Sequence, residues 1–169
     1  IKTHVTTLFE SWLKAAAPNL TYTNPKDVQY TQINFVDMPN AVQSEISVMN
    51  LSSLKMYNKG YFSVIVANQI LDGDYNSYLM SNLRKKNAWT YDAGSNITPS
   101  KYISRFIAYS QVRNAVTDSA VVETIKEIKR IRLEKVSDKE LQNVKASYIG
   151  KFVMQIEKPQ TIANYALRI

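Results

Sequence analysis

The sequence has no cysteine and a single histidine, His4. The first absence excludes disulfides, thiol nucleophiles and Cys-based zinc sites. The second argues against a zinc hydrolase centre within the chain. Such a centre needs two or three imidazoles or carboxylates converging on the metal, and neither H-x-x-E-H nor H-E-x-x-H occurs. A Ser-His-Asp site would depend on the same His4, which reads as incidental near the chain end. Glycine and proline are scarce, at 4 and 5 residues, which argues against a disordered or low-complexity segment. Neither G-x-x-x-x-G-K-[ST] nor G-x-G-x-x-G is found, so no phosphate cradle is supported. The longest apolar run, Tyr61 to Ala67, is too short to span a bilayer. The opening residues lack the pattern of a signal peptide.

What is present suits one ordinary domain. The 169 residues are 45% apolar, enough to build a core, and include 11 tyrosines, which suit half-buried strands and gripping surfaces. The chain does not start with Met and opens directly toward a helix. It is therefore read as a single domain, 1–169, cut from something longer, with its C-terminal end truncated. Lys plus Arg outnumber Asp plus Glu by 21 to 14, a net charge of +7. That charge speaks to partners and not to fold. The positive side chains are spread along the chain, which fits a solvated basic surface. A nucleic-acid reading would use Lys85-Lys86 and the row Lys126, Lys129, Arg130, Arg132 and Lys135. Glu123, Glu127 and Glu134 interleave that row and no stacking platform is visible, so nucleic acid ranks last among the partners considered.

Periodicity gives the order of elements. Val5 to Ala16 reads as a helix, with Leu8, Trp12 and Leu13 on one face and Pro18 ending it. Tyr30 to Val36 and Ala41 to Leu51 read as a strand hairpin across Asp37-Met38-Pro39-Asn40. Two helices, Tyr61 to Leu71 and Ser77 to Lys86, flank Asp72-Gly73-Asp74, the second with Leu79 and Leu83 stacked. Trp89 to Ala93 and Tyr102 to Val112 read as strands. Asp118 is the expected N-cap of a helix to about Glu134. Its buried stripe is read as Val121, Ile125, Ile128 and Ile131, and its wet face as Glu123, Lys126, Glu127 and Arg130. Ser137 and Glu140 form a capping box for a helix to about Gln155, and Pro159 fits the first turn of a last one. The implied fold class is α+β: two layers, an antiparallel sheet with helices packed on one face.

One stretch is more specific, Asn68 to Ser95. Leu71 and Gly73 stand at a turn that ends a helix. Ser77 and Leu79 open the next helix, Leu83, Arg84 and Lys86 follow, and Tyr91 comes after them. The hairpin upstream adds Pro39, Gln43, Ser44 and Ile46. The segment resembles the insulinase/pitrilysin family of zinc metallopeptidases, which includes the mitochondrial processing peptidases. In that family a Leu-Gly-Gly turn, a Ser-x-Leu helix, Leu-Arg-x-Lys-x-Gly and a Tyr-bearing strand follow in this order. The likeness extends to the order of elements across most of the chain. Two departures stand out. The turn has Asp72 and Asp74 where glycine is usual, and Ala88 replaces the glycine of Lys-x-Gly, a position where glycine permits positive φ or close packing.

The resemblance implies the non-catalytic, C-terminal half of a clamshell peptidase. Such a half has no catalytic residue and no metal of its own, and is inactive alone. Zinc is expected on a homologous half, fused in cis or present as a subunit in trans. The resemblance further implies that Arg84 and Tyr91, seven residues apart, bind an extended peptide substrate and support the transition state. Donors of this kind stabilise the oxyanion formed when an amide is attacked, and Arg grips a carbonyl with parallel donors. Read without the resemblance, Arg84 is a helix C-terminal cation and Tyr91 a sheet residue. A scaffold or assembly paralogue is the alternative function. The compartment is left open, a bacterial envelope among those compatible.

Overall fold

In the computed structural model the described residues are 1–100 and 102–167. Among these residues three strands form one antiparallel sheet in the order β1-β3-β2, with β1 Gln43–Ser52, β2 Ala93–Ile97 and β3 Ser104–Arg113. Period-two alternation sets its faces. Ile46, Ala108, Val112 and Ala93 point into the core, whereas Glu45, Ser47, Met49, Tyr109 and Gln111 point to solvent. The inner face is covered by α2 Tyr61–Asp72, a π-helix Met80–Lys86 and α3 Thr117–Leu133. Helix α4 Asp138–Ile156 packs on α2, and α5 Pro159–Ala166 closes the described chain. This is the two-layer α+β arrangement read from the sequence. Leu79 and Leu83 are wholly buried at its centre with Val112.

Capping chemistry placed the later helices well. Ser137 accepts from the Glu140 N–H at 3.2 Å and opens α4, and Pro159 sits in the first turn of α5. Helix α3 starts one residue before Asp118, which lies in its first turn instead of capping it.

Four expectations are corrected. The first helix is shorter, α1 Lys2–Phe9, and buries nothing: Leu8, Trp12 and Leu13 are all exposed. Tyr30 to Val36 is not a strand. Its large apolar residues fall on both parities, with Ile33 and Phe35 on one and Tyr30 and Val36 on the other. No register would bury a clean face, and β1 pairs instead with β3 over ten positions. Strand β2 begins at Ala93, where the expected strand from Trp89 was to end. Before it, the Thr90 hydroxyl lies 2.6 Å from the Gln111 carbonyl and accepts from the Asp92 N–H at 3.1 Å, so a side chain replaces the ladder. Finally, α3 is rotated relative to the expected stripe. Ala120, Thr124 and Glu127 are its buried residues, with Val121, Ile128 and Ile131 packed beside them, while Ile125 lies at the rim with exposed Val122.

Candidate functional site

The segment joining α2 to β2 carries both residues singled out above. Arg84 lies in the last turn of the π-helix, followed by Lys85 and Lys86. Its guanidinium sits 5.1 Å from the centroid of the Tyr75 ring, a cation–π contact, and Lys85 Nζ sits 4.1 Å from the same ring. Lys85 also donates to Asn76 Oδ1 at 2.6 Å. Arg84 joins none of the ion pairs among the described residues, which are Lys126–Glu123, Arg130–Glu127 and Arg130–Glu134. Its donor edge is thus uncommitted. Tyr91 follows the Asn87-Ala88 turn, in the bend before β2 and not on a strand, and is 85% exposed. Neither residue lines the 510 Å³ groove on the outside of α3 or the 430 Å³ groove between α2 and the sheet.

The turn between them is conformationally unusual. Ala88 has φ 52°, in the left-handed region. The glycine of the family pattern therefore stands at a position with a real conformational demand, met here by alanine. The π register ends in widened bonds: the Asn87 N–H reaches Asn82 O at 3.1 Å, and the Trp89 N–H reaches Leu83 O at 3.0 Å.

Beneath this turn lies a buried polar network absent from the sequence reading. The Asn82 amide, 6% exposed, donates at 2.6 Å to both Glu123 Oε2 and Glu127 Oε1, and Glu127 is 5% exposed. The Asn82 hydrogen bond is the main reason that the Glu123 carboxyl is held below its usual range. Arg130, exposed as expected, pairs with Glu127 at 3.3 Å and lies 3.8 Å from the Tyr78 ring centroid. Glu127, expected on the same wet face, is not exposed. It is buried because it has these two partners. A signal was available: Asn82 falls three residues after Leu79, on the buried side of the helix, where a polar residue demands a partner.

A second cluster surrounds the Asp72 turn. Asp72 Oδ2 accepts from the Ser95 N–H at 2.6 Å, and Lys151 donates to the Gly73 carbonyl. Burial pushes the Asp72 carboxyl up to about 6. Gly94 opposite has to be small, since a Cβ there would stand 2.5 Å from the Tyr109 hydroxyl and 2.9 Å from Asp72 Oδ2.

Residues 2–148 match the family model described as the peptidase M16 inactive domain. The chain belongs to this family. Its fold agrees with solved structures. The peptidase M16 inactive domain from Pseudomonas fluorescens superposes with a TM-score of 0.72 at 24% identity, covering 79% of this chain and 32% of that one. A protease from Helicobacter pylori gives 0.83 at 16% identity, covering 96% and 40%. The periplasmic protease PqqL from Escherichia coli gives 0.62 at 13% identity, covering 97% and 19%. The chain thus spans well under half the length of each. No curated protein matches it significantly.

The chain is thus a peptidase M16 inactive domain by family and by fold. Among the described residues no group of three or more His, Cys, Asp or Glu is placed to hold a metal ion. No helix among the described residues is long and apolar enough to cross a membrane.

Proposed function

We propose that this half binds an extended peptide for a zinc-bearing homologous half, and that Arg84 and Tyr91 are the residues it contributes. The observation that carries the reading is the state of those two groups. A half-buried Arg without an acidic partner and an exposed Tyr sit at the two ends of one anchored turn. An Arg left in this way keeps its planar fork for a peptide carbonyl. Stacking on Tyr75 reduces the freedom that it would lose on binding. The phenol of Tyr91 is a neutral donor, suited to an oxyanion that exists only as the amide is attacked. The open outer edge of β1 supports peptide binding as well, since an extended segment adds to such an edge through main-chain hydrogen bonds. The metal that activates the nucleophile belongs to the other half, whether fused or separate.

The test is kinetic, in the complete peptidase. Tyr91→Phe is expected to lower kcat by about 10²–10³-fold if Tyr91 is a full oxyanion donor, with little change in KM. Arg84→Ala is expected to raise KM as well. Wild-type kinetics in both variants would leave the scaffold reading in place. Tight, sequence-dependent binding of DNA or RNA at about 150 mM salt would instead favour the nucleic-acid module.

A further inference from the structure

Arg84 and Tyr91 are not held by strong contacts of their own. Arg84 touches the face of Tyr75, and Tyr91 is exposed. Their relative placement is therefore inherited from the backbone between them. That backbone is pinned at two places. On one side the Thr90 hydroxyl sits against the Gln111 carbonyl of β3. On the other, Asn82 donates to two carboxylates of α3 and collects the end of the π-helix behind it. Asn87 Nδ2 donates to Asn82 Oδ1 at 2.7 Å and to Asn82 O at 3.0 Å, and the Asn87 N–H donates to the same carbonyl.

We propose that Asn82 is a positioning residue for the Arg84–Tyr91 pair, locking onto Glu123 and Glu127 of α3 the π-helical end that carries Arg84 and leads into the turn before Tyr91. The inference rests on the functional reading above and adds to it the residue that sets the geometry. The chemistry admits one orientation of the Asn82 amide. Its nitrogen faces two acceptors and its oxygen faces the Asn87 donor, and a flipped amide would set oxygen against two carboxylates. Hydrogen bonds to ionised acceptors are about twice as strong as neutral ones. The bond to Glu127 lies where water does not compete, because Asn82 and Glu127 are both buried, and the bond to Glu123 is half-buried. Such a lock has a register to defend. In an α-helix successive residues are rotated by about 100°, so a shift of one residue at the end of the helix turns Arg84 away from its present direction. A π-helix of seven residues is an uncommon state. It is followed directly by a left-handed Ala88, and both features are sustained by the Asn82–Asn87 closure.

The experiment uses the complete peptidase and four variants. Asn82→Ala removes the lock. Asn87→Ala removes only the closure, at a half-buried position that folding tolerates better. Asn82→Asp places a third carboxylate against Glu123 and Glu127. The double variant Asn82→Asp/Glu127→Gln restores one donor–acceptor pair with its polarity reversed. Each single variant is expected to lower kcat about 10–100-fold with KM within about threefold, the size of effect that small misplacements produce. The double variant is expected to recover most of the loss in Asn82→Asp. In parallel, the Arg84 Nε–H and Tyr91 ring resonances are expected to move in Asn82→Ala and Asn87→Ala, while β3 amide resonances stay. If Asn82→Ala does not fold, Asn87→Ala and the polarity-reversed pair carry the test. Unchanged kcat and unchanged Arg84 and Tyr91 resonances would overturn the inference. So would a loss that the double variant fails to recover, since a hole or a charge in the core would then be its cause. Should Arg84→Ala and Tyr91→Phe themselves be silent, the functional reading falls, and the resonances alone decide whether Asn82 sets the turn.

Discussion

Asp72→Asn removes an ionisation that the fold disfavours, and its effect should reverse the usual acid sensitivity of a carboxylate. Asp72 closes α2, and its Oδ2 accepts from the Ser95 N–H. Burial is the largest influence on it and raises its pKa from 3.8 to about 6. The Ser95 N–H opposes that rise, nearby Asp92 adds to it, and Lys151 opposes it weakly. The folded-state value is above the unfolded one. The stabilising contribution is therefore complete below about pH 4 and is lost as pH rises through about 6. A shift of about 2 units corresponds to roughly 3 kcal/mol in full. Asp72 is only half-buried, and solvent screening leaves about 1–2 kcal/mol of that. The Asn variant keeps an oxygen to accept from Ser95 and does not ionise. Urea unfolding of both proteins between about pH 4 and pH 8 gives the test. The stability difference, wild type minus variant, is expected to fall by about 1–2 kcal/mol across that range. A difference that is flat with pH, or that grows in favour of the wild type, would refute the argument. It would mean that the ionised carboxylate is what the Ser95 N–H requires.

Two further substitutions test the fold. Ala88→Gly is expected to stabilise the chain by roughly 1 kcal/mol in urea unfolding, because left-handed φ costs a residue with a Cβ about 1–2 kcal/mol and glycine gives part of that back as unfolded-state entropy. Leu83→Ala, at a wholly buried position, is expected to cost about 2–5 kcal/mol by cavity formation, and Ile125→Ala, at the rim of α3, about 1 kcal/mol or less. Equal losses at the two positions in thermal or urea unfolding would mean that α3 presents a different face to the sheet.

The parts of this fold legible in sequence are those where local chemistry and tertiary packing agree. Ser137 caps α4 because the hydroxyl and the Glu140 N–H are three residues apart whatever else the chain does. Leu79 and Leu83 were read as stacked, and both are buried, because a four-residue spacing survives a helix that widens to π register. The misread parts have tertiary causes. Glu127 reads as solvent-facing in any periodicity count. It is buried because Asn82 is 45 residues away in sequence and 2.6 Å away in space. Ile125 loses its place in the core for the same reason, since drawing Glu127 inward turns α3 about its axis. Thr90 gave no hint that its hydroxyl would do the work of a strand. Arg84 and Tyr91 came from a resemblance and not from any pattern in the chain. The structure adds their surroundings, Tyr75 beneath one and a left-handed turn before the other.

The two departures from the family pattern differ in physical kind. At Asp72 the added side chain is used: it meets an N–H on the outer edge of β2 that glycine would leave to water. The cost there is electrostatic and depends on pH. At Ala88 the added methyl is exposed and sits in a conformation it disfavours. The cost there is steric and constant. A turn that keeps left-handed geometry with alanine in place must be over-determined by its neighbours. The neighbours that do so are Asn82 and Asn87 on one flank and Thr90 on the other. One buried and one half-buried carboxylate, a π register and a strained alanine all act on the eight residues from Arg84 to Tyr91. Part of that rigidity serves the fold, since Trp89 packs on the core and Thr90 on β3. The same rigidity fixes the spacing of an uncommitted cation and an exposed phenol, which is what the peptide-binding role we propose requires.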